Sequence, residues 1–166
     1  MASGKSTVAQ RIAERLSKSV HLRGDLFRRM IVNGQVAIEP PLSEVALNQL
    51  QLRYKLAAQV ADSYCAAGFT VVYQDVILGA ILEEVVALHQ GWPLYVVVLC
   101  PSPSVALERD AHRHKQTYQS WTPDELDHAL RYETPKLGLW LDTSALGVEA
   151  TVSTIFAHLD EARIRF

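Results

Sequence analysis

Two cysteines in 166 residues, Cys65 and Cys100, are too few for a disulfide scaffold. They suit buried thiols in a reducing compartment, with one disulfide left open. No apolar run approaches the ~18 residues of a membrane span, and the first residues lack the apolar core of a secretion signal. Neither sign of charge dominates: Lys and Arg number 16, Asp and Glu 18, for a net charge of −2. A broad basic field for nucleic acid or anionic lipid is thereby excluded, although a local patch is not. Repeats, linkers and low-complexity tracts are also missing. What is present is ordinary for one globular domain, with 49% hydrophobic and 20% charged residues. These features predict a cytoplasmic protein, monomer or homodimer, whose partner is a small molecule.

Hydrophobic spacing divides the chain into alternating helices and strands. Val8, Ile12 and Leu16 recur at helical period and predict a helix over 5–18. Residues 20–22 form a short strand, followed by a segment rich in Phe and Arg and the Pro40-Pro41 break. Ala46, Leu50, Tyr54, Ala57, Ala61 and Tyr64 carry a long helix over 43–67, with Gly68 suited to the position just past its end. Residues 69–73 and 94–99 read as buried parallel strands, with a helix around 81–86 between them closed by Gly91. Ser102-Pro103 starts another helix, and Thr122-Pro123-Asp124-Glu125 spells a capping box with proline at the first helical position. Residues 139–141 make a last strand before a helix carried by Val148, Val152, Ile155, Phe156 and Leu159. Such alternation predicts an α/β fold with helices on both faces of a parallel sheet and ligands at the carboxyl ends of its strands. Residues 4–7, Asp25, Asp75, 101–104 and 142–144 then gather on one rim.

The most informative of these clusters is Ser3-Gly4-Lys5-Ser6-Thr7, directly before the first helix. A phosphate-binding loop requires a glycine that permits the bend, a lysine that reaches the β/γ-phosphates, and a hydroxyl for Mg²⁺. Gly4, Lys5 and Ser6 fill those places, and Thr7 is either an α-phosphate contact or a plain first-turn residue. The first glycine of the full pattern falls ahead of Met1, so the native protein is expected to begin further upstream.

Asp25, with Arg28 and Arg29 close by, has the chemistry of an acceptor site: a carboxylate takes the proton of an attacking hydroxyl and an arginine orients the substrate. The competing reading makes Asp25 the cap of a helix beginning at Leu26. The adhesion tripeptide Arg23-Gly24-Asp25 has no secretion signal behind it. Asp75 ends an apolar strand as a metal-binding acid does, with an ordinary turn residue as the alternative. Gln74 is either a substrate contact or a strand-end polar residue. Arg109 and Arg113 share a helical face at the start of a polar, His-rich lid over 109–122, where they can neutralise a departing phosphoryl group. His112 and His114 lack a third ligand nearby, so no zinc is expected. Trp92, Trp121 and Trp140 are assigned to the core.

These residues together resemble the P-loop small-molecule kinases and phosphotransferases, the group that includes chloramphenicol phosphotransferase-like, shikimate, gluconate and nucleoside monophosphate kinases. The resemblance implies ATP and Mg²⁺ as cofactors, with Ser3 to Thr7 holding the nucleotide and Ser6 with Asp75 holding the metal. It makes Asp25, Arg28 and Asp75 the acceptor site, Lys5, Asp25, Arg109 and Arg113 the catalytic groups, and the loop of Thr143 the adenine contact. It also implies strand order 2-3-1-4-5, in which strand 1 precedes the phosphate loop and is missing from these residues. A buried strand of about five residues rivals a domain's whole stability of about 5–15 kcal/mol, so residues 1–166 alone are expected to fold poorly and bind nucleotide weakly. The activity implied is γ-phosphoryl transfer to a small-molecule hydroxyl. A kinase of nucleotides or nucleic-acid 5′ ends, and a non-catalytic nucleotide switch, are the rivals.

Overall fold

The computed structural model describes residues 3–111 and 121–166. Helix α1 spans Lys5–Arg15 and stops three residues short of the expected end. Leu16 is already extended there, and the Ser19 hydroxyl donates to the Ala13 carbonyl at 2.6 Å, satisfying an acceptor that the helix leaves open. Strand β1 (Ser19–Arg23) leads into the short helix α2 (Asp25–Arg29). Helix α3 (Glu44–Ala66) is capped by Ser43, whose side chain accepts from the Ala46 N–H, and Gly68 closes its far end with a bond to the Cys65 carbonyl. Its buried face differs from expectation at both ends of the polarity scale: Arg53 is buried, while Tyr64 is 40% exposed.

Strand β2 (Thr70–Gln74) pairs in parallel with β1, from Ser19 opposite Thr70 to Arg23 opposite Gln74. Helix α4 (Ile81–Ala87) ends ahead of Gly91. Strand β3 is shorter than expected, covering only Val97–Leu99, because the preceding residues turn toward the end of the chain. The Val96 N–H bonds to the Ala162 carbonyl and Tyr95 bridges to Arg163. Helix α5 (Pro103–Ala111) follows, then α6 (Pro123–His128), which carries the expected capping box. Sequence spacing did not anticipate that α6 runs on into a π-helical turn, Ala129–Glu133. Strand β4 (Leu139–Leu141) pairs in parallel with β3. Gly138 permits this entry: its φ is +70° and an added Cβ would lie 2.2 Å from the Val96 carbonyl oxygen. Helices α7 (Val148–Ala157) and α8 (Leu159–Ala162) finish the fold, separated at His158 rather than continuous.

The sheet is therefore two parallel pairs, β1–β2 and β3–β4, with no ladder joining them among the described residues. They match positions 2-3 and 4-5 of the expected order. β2 and most of β3 are half-buried where fully buried strands were expected. Each pair has its own core. Val8, Leu99, Leu139, Val152 and Ile155 pack together on one side, and Leu22, Ala57 and Ala61 on the other. Trp92, assigned to the core, is 41% exposed. Trp140 is half-buried beneath the Lys136 ammonium, and Trp121 donates its ring N–H to the Ile38 carbonyl. Both cysteines are free thiols, Cys100 buried and Cys65 only half-buried.

Candidate nucleotide and acceptor site

Gly4 precedes α1 with φ +83°, a left-handed conformation that only glycine adopts without strain, and no atom lies within 4 Å of where a Cβ would stand. The first turn that follows presents N–H groups with no intrahelical acceptor and the positive end of an 11-residue helix. Lys5 bonds through Nζ to the buried Ser3 hydroxyl at 3.2 Å. Backbone donors, a lysine and a bend with free space around it are the donor set a polyphosphate requires.

A cavity of about 580 Å³ opens from this turn. Gly4 and Thr7 line one wall, and Arg109, Thr143, Leu146 and Val148 the other. Thr143 is 2% exposed, which agrees with a built rather than incidental wall. Arg109 is held by protein partners on this wall. Its guanidinium donates to the Thr143 carbonyl at 2.7 Å, to the Thr143 hydroxyl at 3.4 Å and to the Leu146 carbonyl at 3.4 Å. It thus grips the loop expected at the base, and its bonds do not reach toward a transferring phosphate. Beside this loop, the Asp142 carboxylate accepts from both the N–H and the hydroxyl of Ser144, which holds its pKa below the usual range. Arg113 lies outside the described residues, as do His112 and His114.

The residues expected to serve an acceptor stand at the ends of β1 and β2. Asp25 opens α2 and pairs with Arg29 at 2.5 Å, with its side chain 40% exposed. It makes no cap: the helix starts at Asp25 itself, and no side chain caps it. Arg28, expected to orient a substrate, reaches the Val36 carbonyl at 2.8 Å and leaves its Nε buried without a partner.

Asp75, expected as a metal-binding acid, is held by protein partners. Its Oδ1 accepts from Arg53 at 2.7 Å and from the Val76 N–H at 2.7 Å, and its Oδ2 accepts from the Tyr73 hydroxyl at 2.8 Å. The side chain is 3% exposed against 10% for Arg53, a buried ion pair. Burial raises the Asp75 pKa, against the opposing pull of Arg53 and of the two hydrogen bonds. The same environment pushes the Tyr73 phenol upward, chiefly by burial and then by the Asp75 charge, and Tyr54 to about 12. Gly24 packs flat on this carboxylate, since an added Cβ would come within 1.9 Å of Oδ2.

Gln74 faces the phosphate turn instead. Its Oε1 accepts from the Ser6 hydroxyl at 3.0 Å, and its backbone carbonyl accepts from the Gly24 N–H at 3.0 Å. Sequence reasoning missed Arg53 altogether. Its signal was a lone charge inside the Ala46 to Ala61 stripe of α3, seven residues after Ala46 and four before Ala57.

A glycine bend, a lysine and a hydroxyl at a helix start, at the carboxyl edge of parallel strands, define a P-loop nucleotide-binding protein. The chain matches the family model described as AAA domain over residues 1–132 and belongs to that family. Its fold is that of P-loop kinases. It is similar to the tunicamycin resistance protein of Deinococcus radiodurans, with 18% identity and TM-score 0.65, covering 99% of this chain and 93% of that one. It is also similar to a sugar kinase from Janibacter sp. HTCC2649, with 19% identity and TM-score 0.66, covering 97% of this chain and 90% of that one. No curated protein matches the chain in sequence. Among the described residues no helix is long and apolar enough to cross a membrane.

Proposed function

We propose that this protein is an ATP- and Mg²⁺-dependent phosphotransferase that moves the γ-phosphoryl group to a hydroxyl of a small molecule. One observation carries the reading: Gln74 bonds at once to Ser6 of the phosphate turn and to Gly24, the residue before Asp25. A nucleotide site and a carboxylate are thereby held one strand end apart, as an in-line transfer requires.

In this reading the first turn of α1 and Lys5 hold the phosphates, while Thr143 and its loop, braced by Arg109, enclose the base. Asp25 accepts the proton of the acceptor hydroxyl as that oxygen bonds to the γ-phosphorus; the bond from phosphorus to the bridging oxygen breaks, and ADP leaves. Mg²⁺, bound through the Ser6 hydroxyl and the phosphates, would supply charge neutralisation. Arg29 holds the Asp25 carboxylate before the acceptor arrives, and Arg28 fixes residue 36 beside it. Arg113 belongs with the lid arginines that screen the transferred group. The sugar kinase among the structural neighbours is in keeping with a hydroxyl acceptor of metabolite size, and we place the protein in the cytoplasm as a monomer or homodimer.

ADP release measured across a panel of hydroxylated metabolites tests the assignment. One compound should stimulate release, and Asp25→Asn should reduce that rate by about 10²- to 10⁴-fold while ATP still binds. A slow hydrolysis that no compound alters would mark a nucleotide-dependent switch instead.

A further inference from the structure

β2 ends on Gln74, and Asp75 follows directly, the two side chains leaving opposite faces. Gln74 points to α1 and Asp75 to α3. We infer that Gln74, and not Asp75, is the strand-end residue that serves the cation site, its amide oxygen orienting the Ser6 hydroxyl toward a divalent ion. The inference rests on the phosphotransferase reading above and deepens it at one position.

An amide Oε1 can only accept a hydrogen bond, so Ser6 spends its single proton on Gln74 and turns its lone pairs outward. A hydroxyl so oriented is a competent ligand for a hard cation. In P-loop enzymes that use a strand-end aspartate, the acid contributes a full negative charge at this place. Here the partner of Ser6 is neutral, and the bound phosphates must supply the charge that holds the ion.

Asp75 is unable to take over. Its carboxylate accepts three hydrogen bonds, from Arg53, Val76 and Tyr73, and Gly24 closes over Oδ2. Drawing it toward Ser6 would strand the Arg53 guanidinium, whose Nε is already buried without a partner. Asp75 and Arg53 are therefore a strut beneath the Gly24 turn, and Gln74 is the positioning residue. Its backbone carbonyl fixes that turn and its side chain fixes Ser6, so the cation site and the Asp25 turn share one anchor.

Mn²⁺ binding to the full chain in the presence of ADP, followed by the loss of the free-ion paramagnetic signal, tests this. ADP binding is first measured in chelator; if wild-type protein binds no ADP, the phosphotransferase reading itself fails. With ADP bound, Gln74→Ala should weaken Mn²⁺ about tenfold and leave the metal-free ADP affinity unchanged, a split that general loosening would not produce. Gln74→Glu restores a charge beside Ser6 and should tighten Mn²⁺ about tenfold. Asp75→Asn should leave Mn²⁺ affinity within about twofold while lowering the melting temperature. Unchanged Mn²⁺ affinity in Gln74→Ala, no tightening in Gln74→Glu, or a tenfold loss in a folded Asp75→Asn protein would each overturn the assignment. Gln74→Glu keeps the test decisive if Asp75→Asn does not fold.

Discussion

On the side built from β3, β4, α1 and α7, polar groups surround an open cavity of about 580 Å³ and are braced mainly by backbone. On the side built from β1, β2, α2 and α3, three charged groups near the strand ends have protein partners: Arg29 for Asp25, the Val36 carbonyl for Arg28, Arg53 for Asp75. The first side is preorganised to receive an anion. On the second, if the proposed acceptor binds there, it exchanges places with a protein group. On the cavity side Arg109 braces a loop through its carbonyls, and on the other side paired charges hold the strand ends.

The hardest test of that contrast is Arg53→Ala. Leaving Asp75 buried without its cation should cost about 3–5 kcal/mol in chemical denaturation, the price of one broken buried pair. Lys5→Ala should do the reverse, lowering turnover by about 10²- to 10³-fold with the unfolding midpoint unchanged. Should Lys5→Ala melt early while Arg53→Ala stays firm, the division of labour between the two sides is wrong. A smaller effect is expected at Gly24, whose φ of −62° any residue adopts. Gly24→Ala collides with the Asp75 carboxylate and presses on the Tyr73 ring, and should lose about 1–3 kcal/mol of stability. Parallel loss of Asp25-dependent turnover would show that the strut also aims the base.

The smallest effect concerns His89, which lies against the Tyr73 ring with its Nε2 buried and unpartnered. Burial lowers its pKa below the ordinary 6.5, with Asp62 opposing. The folded state then accepts this proton less readily than the unfolded chain. Its stability contribution is full above pH 6.5 and is lost as pH falls toward the depressed value. The thermal midpoint of His89→Gln should therefore fall less than that of the wild type between pH 7 and about pH 5. Equal slopes would remove His89 from the acid sensitivity of this side.

What was legible in the sequence follows the same division. Gly4, Lys5 and Ser6 act through backbone bend, helix start and residue type, all of them local, and the structure places them at a helix head beside a cavity. The alternation of elements and the caps at Ser43 and Thr122 were equally local. Arg109 was visible as a charge on a helix, but its target, the Thr143 carbonyl, is 34 residues away. Asp75 sits at the strand end as expected, yet which face it takes depends on where β2 stops pleating, and a one-residue shift exchanges it with Gln74. Arg53 was passed over because a charge on a buried stripe makes sense only beside its partner. Trp92 was placed inside because it lies beside the strand expected over 94–99, but closeness to a strand does not fix which way a side chain points, and it is 41% exposed.

The π-helical turn at Ala129–Glu133 ends on Thr134, a buried residue whose hydroxyl donates to the Ala129 carbonyl and accepts from the Gly79 N–H at 2.8 Å. A single oxygen thereby stitches the chain returning from α6 to the loop after β2. Lengthening or trimming either stretch would pull that stitch, so changes of length in one are expected to demand a matching change in the other. Residues 76–80 and 129–134 are therefore best redesigned as a single unit.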